Sequence, residues 1–294
     1  MITEIAPAPE RVTTEPTRPA KRRRAWDEVP RRHIYLPLSI YLLFTLIPFY
    51  WILLFALRRP GSTSLVPWPM TFEHFEKVWN ERAFGTYFQN SVLVGVATLL
   101  MTTLVALAGG YALARFDFRI KKGFMLALLC TQFVPGALLL VPLFEIFANL
   151  RMINSLVSVI IAETVFQLPL SMILISGFIR NVPYSLEEAA WVDGCNRFTA
   201  FRIVVLPLLR PGLIAVGSFA FVHAWNHFLF ALMFLSDQSK QTIPVGLNTL
   251  MSADSVDLGA LAAGGIIAAV PVVIVFAFIQ KWLITGFSAG AVKG

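Results

Sequence analysis

Six stretches of the chain are nearly uninterrupted runs of apolar residues, at about 34–57, 88–114, 123–149, 156–179, 211–235 and 258–283, and the polar residues crowd into the gaps between them. Each run is long enough to cross the hydrocarbon core of a bilayer as a helix, which takes roughly 20 apolar residues. The pattern predicts an all-α membrane protein with six transmembrane helices and both termini on one side. Composition agrees: of 294 residues 57% are hydrophobic and 14% charged, and the mean hydropathy of +0.70 excludes an ordinary soluble domain.

Outside the runs, residues 1–33 are polar, carry Pro7, Pro9, Pro16 and Pro19, and hold the basic cluster Lys21 to Arg24. They read as a disordered arm. The first run is too long for the core of a cleaved signal peptide and ends in "ALRRPGS", so it is expected to stay as a helix. Basic loops resist translocation, and 18 of the 24 Lys and Arg residues fall on the side that holds the arm, the loop 115–122, the segment 180–210 and the C-terminal end. The other side has 6, namely Arg58, Arg59, Lys77, Arg82, Arg151 and Lys240. Both termini and the 180–210 segment are therefore expected in the cytoplasm. The net charge of +7 is a topology signal rather than a nucleic-acid site. Cys130 in the third run and Cys195 in the 180–210 segment lie too far apart in this topology to pair, so neither a disulfide nor a thiolate metal site is implied.

The stretch between the fourth and fifth runs is unusual for a loop, because it mixes Glu187, Glu188, Asp193, Arg197, Arg202 and Arg210 with enough apolar residues to need a packing partner. Pro183 ends the preceding element, and Ser185 with Glu188 three residues later has the spacing of a capping box. A helix is predicted from Leu186 to Asp193, a sharp turn at Gly194, and a second short helix through Phe198, Phe201 and Arg202 ending near Pro207. Two readings remain open at this level. The segment is an amphipathic anchor at the lipid headgroups, or a docking knob whose Glu187, Glu188 and Asp193 meet basic groups of a soluble partner while Ala189, Ala190 and Trp191 fill a groove.

Polar residues within the runs mark the other candidate positions. Glu163 and Gln167 are one turn apart in the fourth run, followed by Pro169, and an ionisable group at that depth should face the bundle interior or a wet cavity. His223 and His227 are one turn apart in the fifth run, with Asn226 on the same face. No third ligand is near, so metal binding is not expected; interhelical hydrogen bonding and lining of a translocation path both fit. Glu145 reads as interfacial, and Pro135, Pro142 and Pro271 predict kinks. The chain has no G-x-x-x-x-G-K-[ST], nucleophile elbow, catalytic Cys/His signature or H-E-x-x-H, so nothing argues for an enzyme and no cofactor is expected on it. A secondary transporter using Glu163 as a proton or sodium site is the rival reading, although no inverted repeat is evident.

The spacing of Glu188, Ala189, Ala190, Gly194, Val204, Leu206 and Pro207 resembles the cytoplasmic loop signature of ABC importer permeases: E-A-A, three residues, G, nine residues, then I-x-L-P. Val204 replaces the usual isoleucine, and Cys195 stands where a small residue is common. "NSVLVGVATLL", "GGYALARFDF", "AWNHFLFALMFLS" and "FIQKWLITGFSAGAVKG" are similar to the maltose-type, carbohydrate-importing subgroup, so the likeness covers roughly 35–294. His227 is a departure, because the family usually has an acid after "WN".

The resemblance implies a MetI-like fold, with a peripheral first helix and loop over 34–87 and a core over 88–294 that includes a coupling segment at 183–210. It implies a second, homologous permease, two cytoplasmic ATPase subunits that use ATP and Mg²⁺, an extracytoplasmic solute-binding protein, and a place in the bacterial cell membrane. Glu187, Glu188, Ala189, Ala190, Asp193, Gly194, Leu206 and Pro207 become the ATPase-coupling residues, with Glu188 facing a basic residue of the ATPase. Glu163, Gln167, His223, Asn226 and His227 become the candidate path. The small, flexible tail, Gly286 to Gly294, is expected to reach toward the ATPase pair.

Overall fold

A computed structural model describes residues 31–251 and 256–291, with side chains for 33–251 and 256–280; the predicted arm lies almost entirely outside them. The helices are α1 (Arg31–Leu57), α2 (Phe84–Arg115), α3 (Lys121–Thr131), α4 (Gly136–Asn149), α5 (Leu156–Arg180), α6 (Ser185–Val192), α7 (Arg197–Leu208), α8 (Arg210–Asn226), α9 (Leu229–Phe234), α10 (Ile243–Met251) and α11 (Leu258–Ala291). No strand occurs among the described residues. Four helices are long and apolar enough to cross a membrane, or six if each of two bent pairs counts as one span. The chain divides into two units at Phe49 and Tyr50. In the first, the apolar side chains of α1 from Ile34 to Phe49 are exposed, as expected of a surface whose solvent is hydrocarbon.

Within the second unit α2 is the axis. Phe84 and Tyr87 near its start join Phe221, Trp225 and Ile243 in one cluster, Val94 joins Phe147, Ala162, Phe230 and Phe234 in another, and Ala106 meets Ile175, Ile179, Val205, Leu209 and Val216 in a third. Apolar contact alone cannot drive helices together in lipid, so close approach matters. At Gly110 an added Cβ would lie 2.7 Å from Ile175 Cγ2 and 3.1 Å from the Met172 carbonyl. Gly110→Leu is therefore expected to force α2 and α5 apart at a cost of about 1–3 kcal/mol, read as a lower unfolding midpoint in detergent and reduced membrane abundance.

The two ends of α2 hold different partners. At its N-terminal end Asn90 Nδ2 donates to the carbonyls of Ser239 and Gln241, both at 2.9 Å, and Ser91 Oγ accepts the Ile243 N–H at 2.9 Å. At the C-terminal end Arg115 meets α6. The loop after α2 and the segment around 240 thus sit at opposite ends of one helix. Before α11, burial alone would raise the Asp257 carboxyl, but the Ala260 N–H and the Lys77 ammonium, 2.9 Å away, hold it below the ordinary range.

Three expected spans differ in detail. The third run is not one helix: α3 and α4 meet at 95°. Pro135, with extended backbone at ψ 128°, ends the first and cannot donate to its ladder. The fifth run breaks at His227, also extended at ψ 121°, and continues as α9. The last helix runs past 283 to Ala291, with no proline after Pro271, so most of the tail is helical rather than loose. Pro169 and Pro271 lie inside continuous helices.

Candidate functional site

The segment after α5 forms the predicted helix, turn and helix, with altered capping. Leu186 N–H donates to the Pro183 carbonyl, and the Glu187 and Glu188 N–H groups to that of Tyr184, so the backbone is already helical at Tyr184. A capping serine needs extended backbone. Ser185 instead lies in the first turn, no side chain caps it, and the capping box of Ser185 and Glu188 is absent. Gly194 takes the left-handed backbone the turn requires, at φ +86°. Around it Cys195 N–H bonds the Ala190 carbonyl at 2.9 Å and Gly194 N–H that of Trp191 at 3.0 Å, the paired closure of a Schellman stop.

Asn196 then caps the next helix, its Oδ1 accepting the Thr199 N–H at 2.8 Å. The helix widens to a π turn over Phe201–Val205, just before Pro207, which has no N–H to return to the ladder. It passes Pro207 and stops at Leu208, then bends 74° into α8.

The coupling candidates divide by face. Glu187 is fully buried: its Oε1 accepts from Arg115 Nε at 2.6 Å and its Oε2 from Tyr111 Oη at 2.7 Å. The basic group it meets is therefore in its own chain. Ala190 is also buried, so it fills no partner groove. Glu188, Ala189, Asp193 and Gly194 are exposed, as is Pro207, while Leu206 is half-buried. Glu188 makes no ion pair among the described residues. One turn further along α6 the Val192 side chain is 88% exposed, and Phe198 of α7 is 73% exposed.

Deeper in the bundle, Glu163 of α5 is completely buried, and His223 of α8 and His227 just past its end converge on it. His223 Nδ1 is 3.0 Å from one oxygen. His227 Nδ1 is 2.6 Å from the other, at an angle outside hydrogen-bond geometry. The two rings stack at 5.2 Å, and His227 also meets Phe230 at 4.5 Å. His223, His227, Asn226 and Gln167 line a groove of about 680 Å³ together with Ser171 and Phe219. Glu163 lies behind the histidines. Among the described residues no group of three or more His, Cys, Asp or Glu is arranged to hold a metal ion.

The convergence of α6 on the end of α2, and of Glu163 on α8, gives these motifs a three-dimensional setting to compare with known proteins. Residues 105–288 match the family described as "Binding-protein-dependent transport system inner membrane component". The chain belongs to that family. Along 92% of its length it is 33% identical to a diacetylchitobiose uptake system permease, DasC of Streptomyces coelicolor, covering 98% of that protein. It is likewise 33% identical to the melibiose/raffinose/stachyose import permease MelC of Bacillus subtilis, covering 84% of this chain and 91% of that one.

A solved bacterial ABC transporter that imports the acidic polysaccharide alginate has the same fold. The TM-score is 0.73 at 20% identity, covering 86% of this chain and 98% of that one. A second alginate transporter structure, in complex with a pentasaccharide-bound periplasmic protein, aligns at a TM-score of 0.65 and 16% identity, covering 87% and 96%. The permease is thus a multi-pass membrane component of an ABC importer, not an enzyme, and none of the relatives named here is an ion-coupled transporter.

Proposed function

We propose that the permease forms half of a carbohydrate translocation path with a second, homologous permease, and that α6 is its coupling helix to two cytoplasmic ATPase subunits. The observation that carries the reading is the outward face of α6, where Glu188 makes no ion pair among the described residues and Val192 is exposed, followed on α7 by exposed Phe198, at the basic end of the bundle. An exposed charge with an apolar rim suits a protein groove. ATP and Mg²⁺ act at the ATPase subunits, and an extracytoplasmic binding protein delivers the solute. Six spans, formed by α1, α2, α3 with α4, α5, α8 with α9, and α11, leave both termini in the cytoplasm. Gln167, His223, Asn226 and His227 line the path, and their amide and imidazole groups suit the hydroxyls of a sugar. The carbohydrate relatives support that substrate class.

The test combines topology with assembly. Reporters fused after residue 118 and after residue 245 are expected to read cytoplasmic and extracytoplasmic, respectively, and the tagged permease to bring down a soluble ATPase. Inverted reporters would place α6 on the wrong side of the membrane and end the coupling assignment. Uptake of labelled chitobiose, melibiose and raffinose by a deletion strain with and without the gene then reads the substrate class.

A further inference from the structure

The neighbouring acids of α6 have opposite surroundings. Of the eight residues in this helix only Glu187 and Ala190 are buried, so apolar packing alone holds it weakly. The Glu187 carboxylate has both oxygens engaged, by Arg115 Nε and by Tyr111 Oη. Arg115 also donates from Nη2 to the Val182 carbonyl at 2.9 Å and lies over the Tyr184 ring at 5.3 Å. The Tyr111 ring meets Phe201 of α7 edge-on at 5.0 Å. One guanidinium and one phenol, both in the last turns of α2, therefore tie together α2, the chain leaving α5, α6 and α7. A buried ion pair is seldom worth more to stability than apolar packing of the same volume. What the planar guanidinium adds is direction.

We propose that Tyr111, Arg115 and Glu187 form a clamp that makes α6 and α2 move as one body, with Glu187 a positioning residue that acts within the chain and Glu188 the acid that acts on the ATPase. The inference rests on the coupling reading above. Gly194 at one end of α6 supplies no such link, and at the other the Asn181–Pro183 stretch is held to α2 through Val182, by the same guanidinium and by its cluster with Ala106. Without the clamp a push on α6 is spent in its own connections. With it the push reaches an axis that runs the length of the bundle.

The test is a distance measurement on the assembled importer, with Cys130 and Cys195 replaced by serine and spin labels at Leu93→Cys and Ser185→Cys, two exposed sites on α2 and α6. Distances are read without nucleotide and with Mg-ATP under vanadate. The unaltered clamp is expected to give one narrow distance in both states. Glu187→Gln should still bring down the ATPase, while its distribution broadens about twofold with nucleotide as α6 comes loose. If Glu187→Gln does not accumulate, Arg115→Met with Glu187→Met leaves no unpaired buried charge and is expected to broaden likewise. A change of distance in the unaltered clamp on adding nucleotide, or a narrow distribution in the clamp variants, overturns the proposal. A merely structural role lowers abundance and leaves the distribution narrow. Failure of the unaltered permease to bind any ATPase defeats the coupling function instead, and the nucleotide-free distances still report on the clamp.

Discussion

Glu188→Lys is expected to reach the membrane at normal abundance and to lose both its ATPase and its transport. Glu188 is exposed, so its replacement leaves no hole and strands no partner inside the chain. It lies in the first turn of α6, where a negative charge favours the helix N-terminus by about 0.3–1 kcal/mol, so lysine weakens the helix only modestly. The larger loss is at the interface. Removing one member of a desolvated charge pair costs about 2–5 kcal/mol, which is more than about thirtyfold in ATPase affinity. Co-purification of the ATPase and uptake should fall together. A variant that keeps abundance, ATPase and uptake would return α6 to the headgroup-anchor reading, in which an added lysine at the membrane surface is neutral or mildly favourable.

Replacing Glu163 by alanine should be the most damaging single change inside the bundle. The carboxylate is wholly buried and is the shared partner of His223 and His227, so its loss unties α5 from α8. Breaking a buried pair costs about 3–5 kcal/mol. The His223 side chain is 44% exposed, so water can take over part of its partner's role, which brings the expected loss nearer about 2–3 kcal/mol. The detergent-solubilised protein should unfold about 5 °C or more below the parent. Glu163→Gln keeps the volume and a hydrogen-bonding acceptor and is expected to retain most of the stability and more than about half of the uptake. Normal abundance with abolished uptake in Glu163→Gln would make the proton on this carboxyl part of transport, as the ion-coupled reading requires.

How much of this could be read in advance depends on the range of the interaction. Runs of apolar residues are local, and each of the four long apolar helices was legible from one of them, as was the left-handed turn at Gly194. The break in the third run was half legible: Pro135 is visible as a kink, but a 95° bend depends on what the two halves pack against. Helix α10 went unread because nine residues between two spans resemble a loop, although buried Ile243, Val245, Gly246 and Leu250 already lie close together in the sequence. The capping box failed for a local reason, since the helical turn begins at Pro183 and leaves Ser185 inside it.

The role of Glu187 failed for a distant one. Its partner Arg115 is 72 residues upstream, and one acid in "EEAA" looks like the other until the fold says which faces inward. The only local signal was Tyr111 and Arg115 one turn apart on one face at the end of α2, a pair that also suits an ordinary headgroup-facing helix end. Glu163, His223 and His227 were each singled out, but periodicity within one helix cannot report a pairing between two. Once paired, His227 is explained as well: where the family usually places an acid, this chain has a base whose acid is on α5.

That pairing also constrains how the chain is made. Glu163 is synthesised 60 residues before His223, the first of its imidazoles. At about 5–20 residues per second the interval is on the order of 3–12 s, during which α5 carries an unpartnered acid and α8 does not yet exist. The carboxyl can wait in water at the mouth of the insertion machinery or enter lipid as the neutral acid, but it cannot settle there as an anion. Helices α5 and α8 are therefore a biosynthetic unit, and a ribosome stalled between them strands a span whose acid must stay neutral or in contact with water.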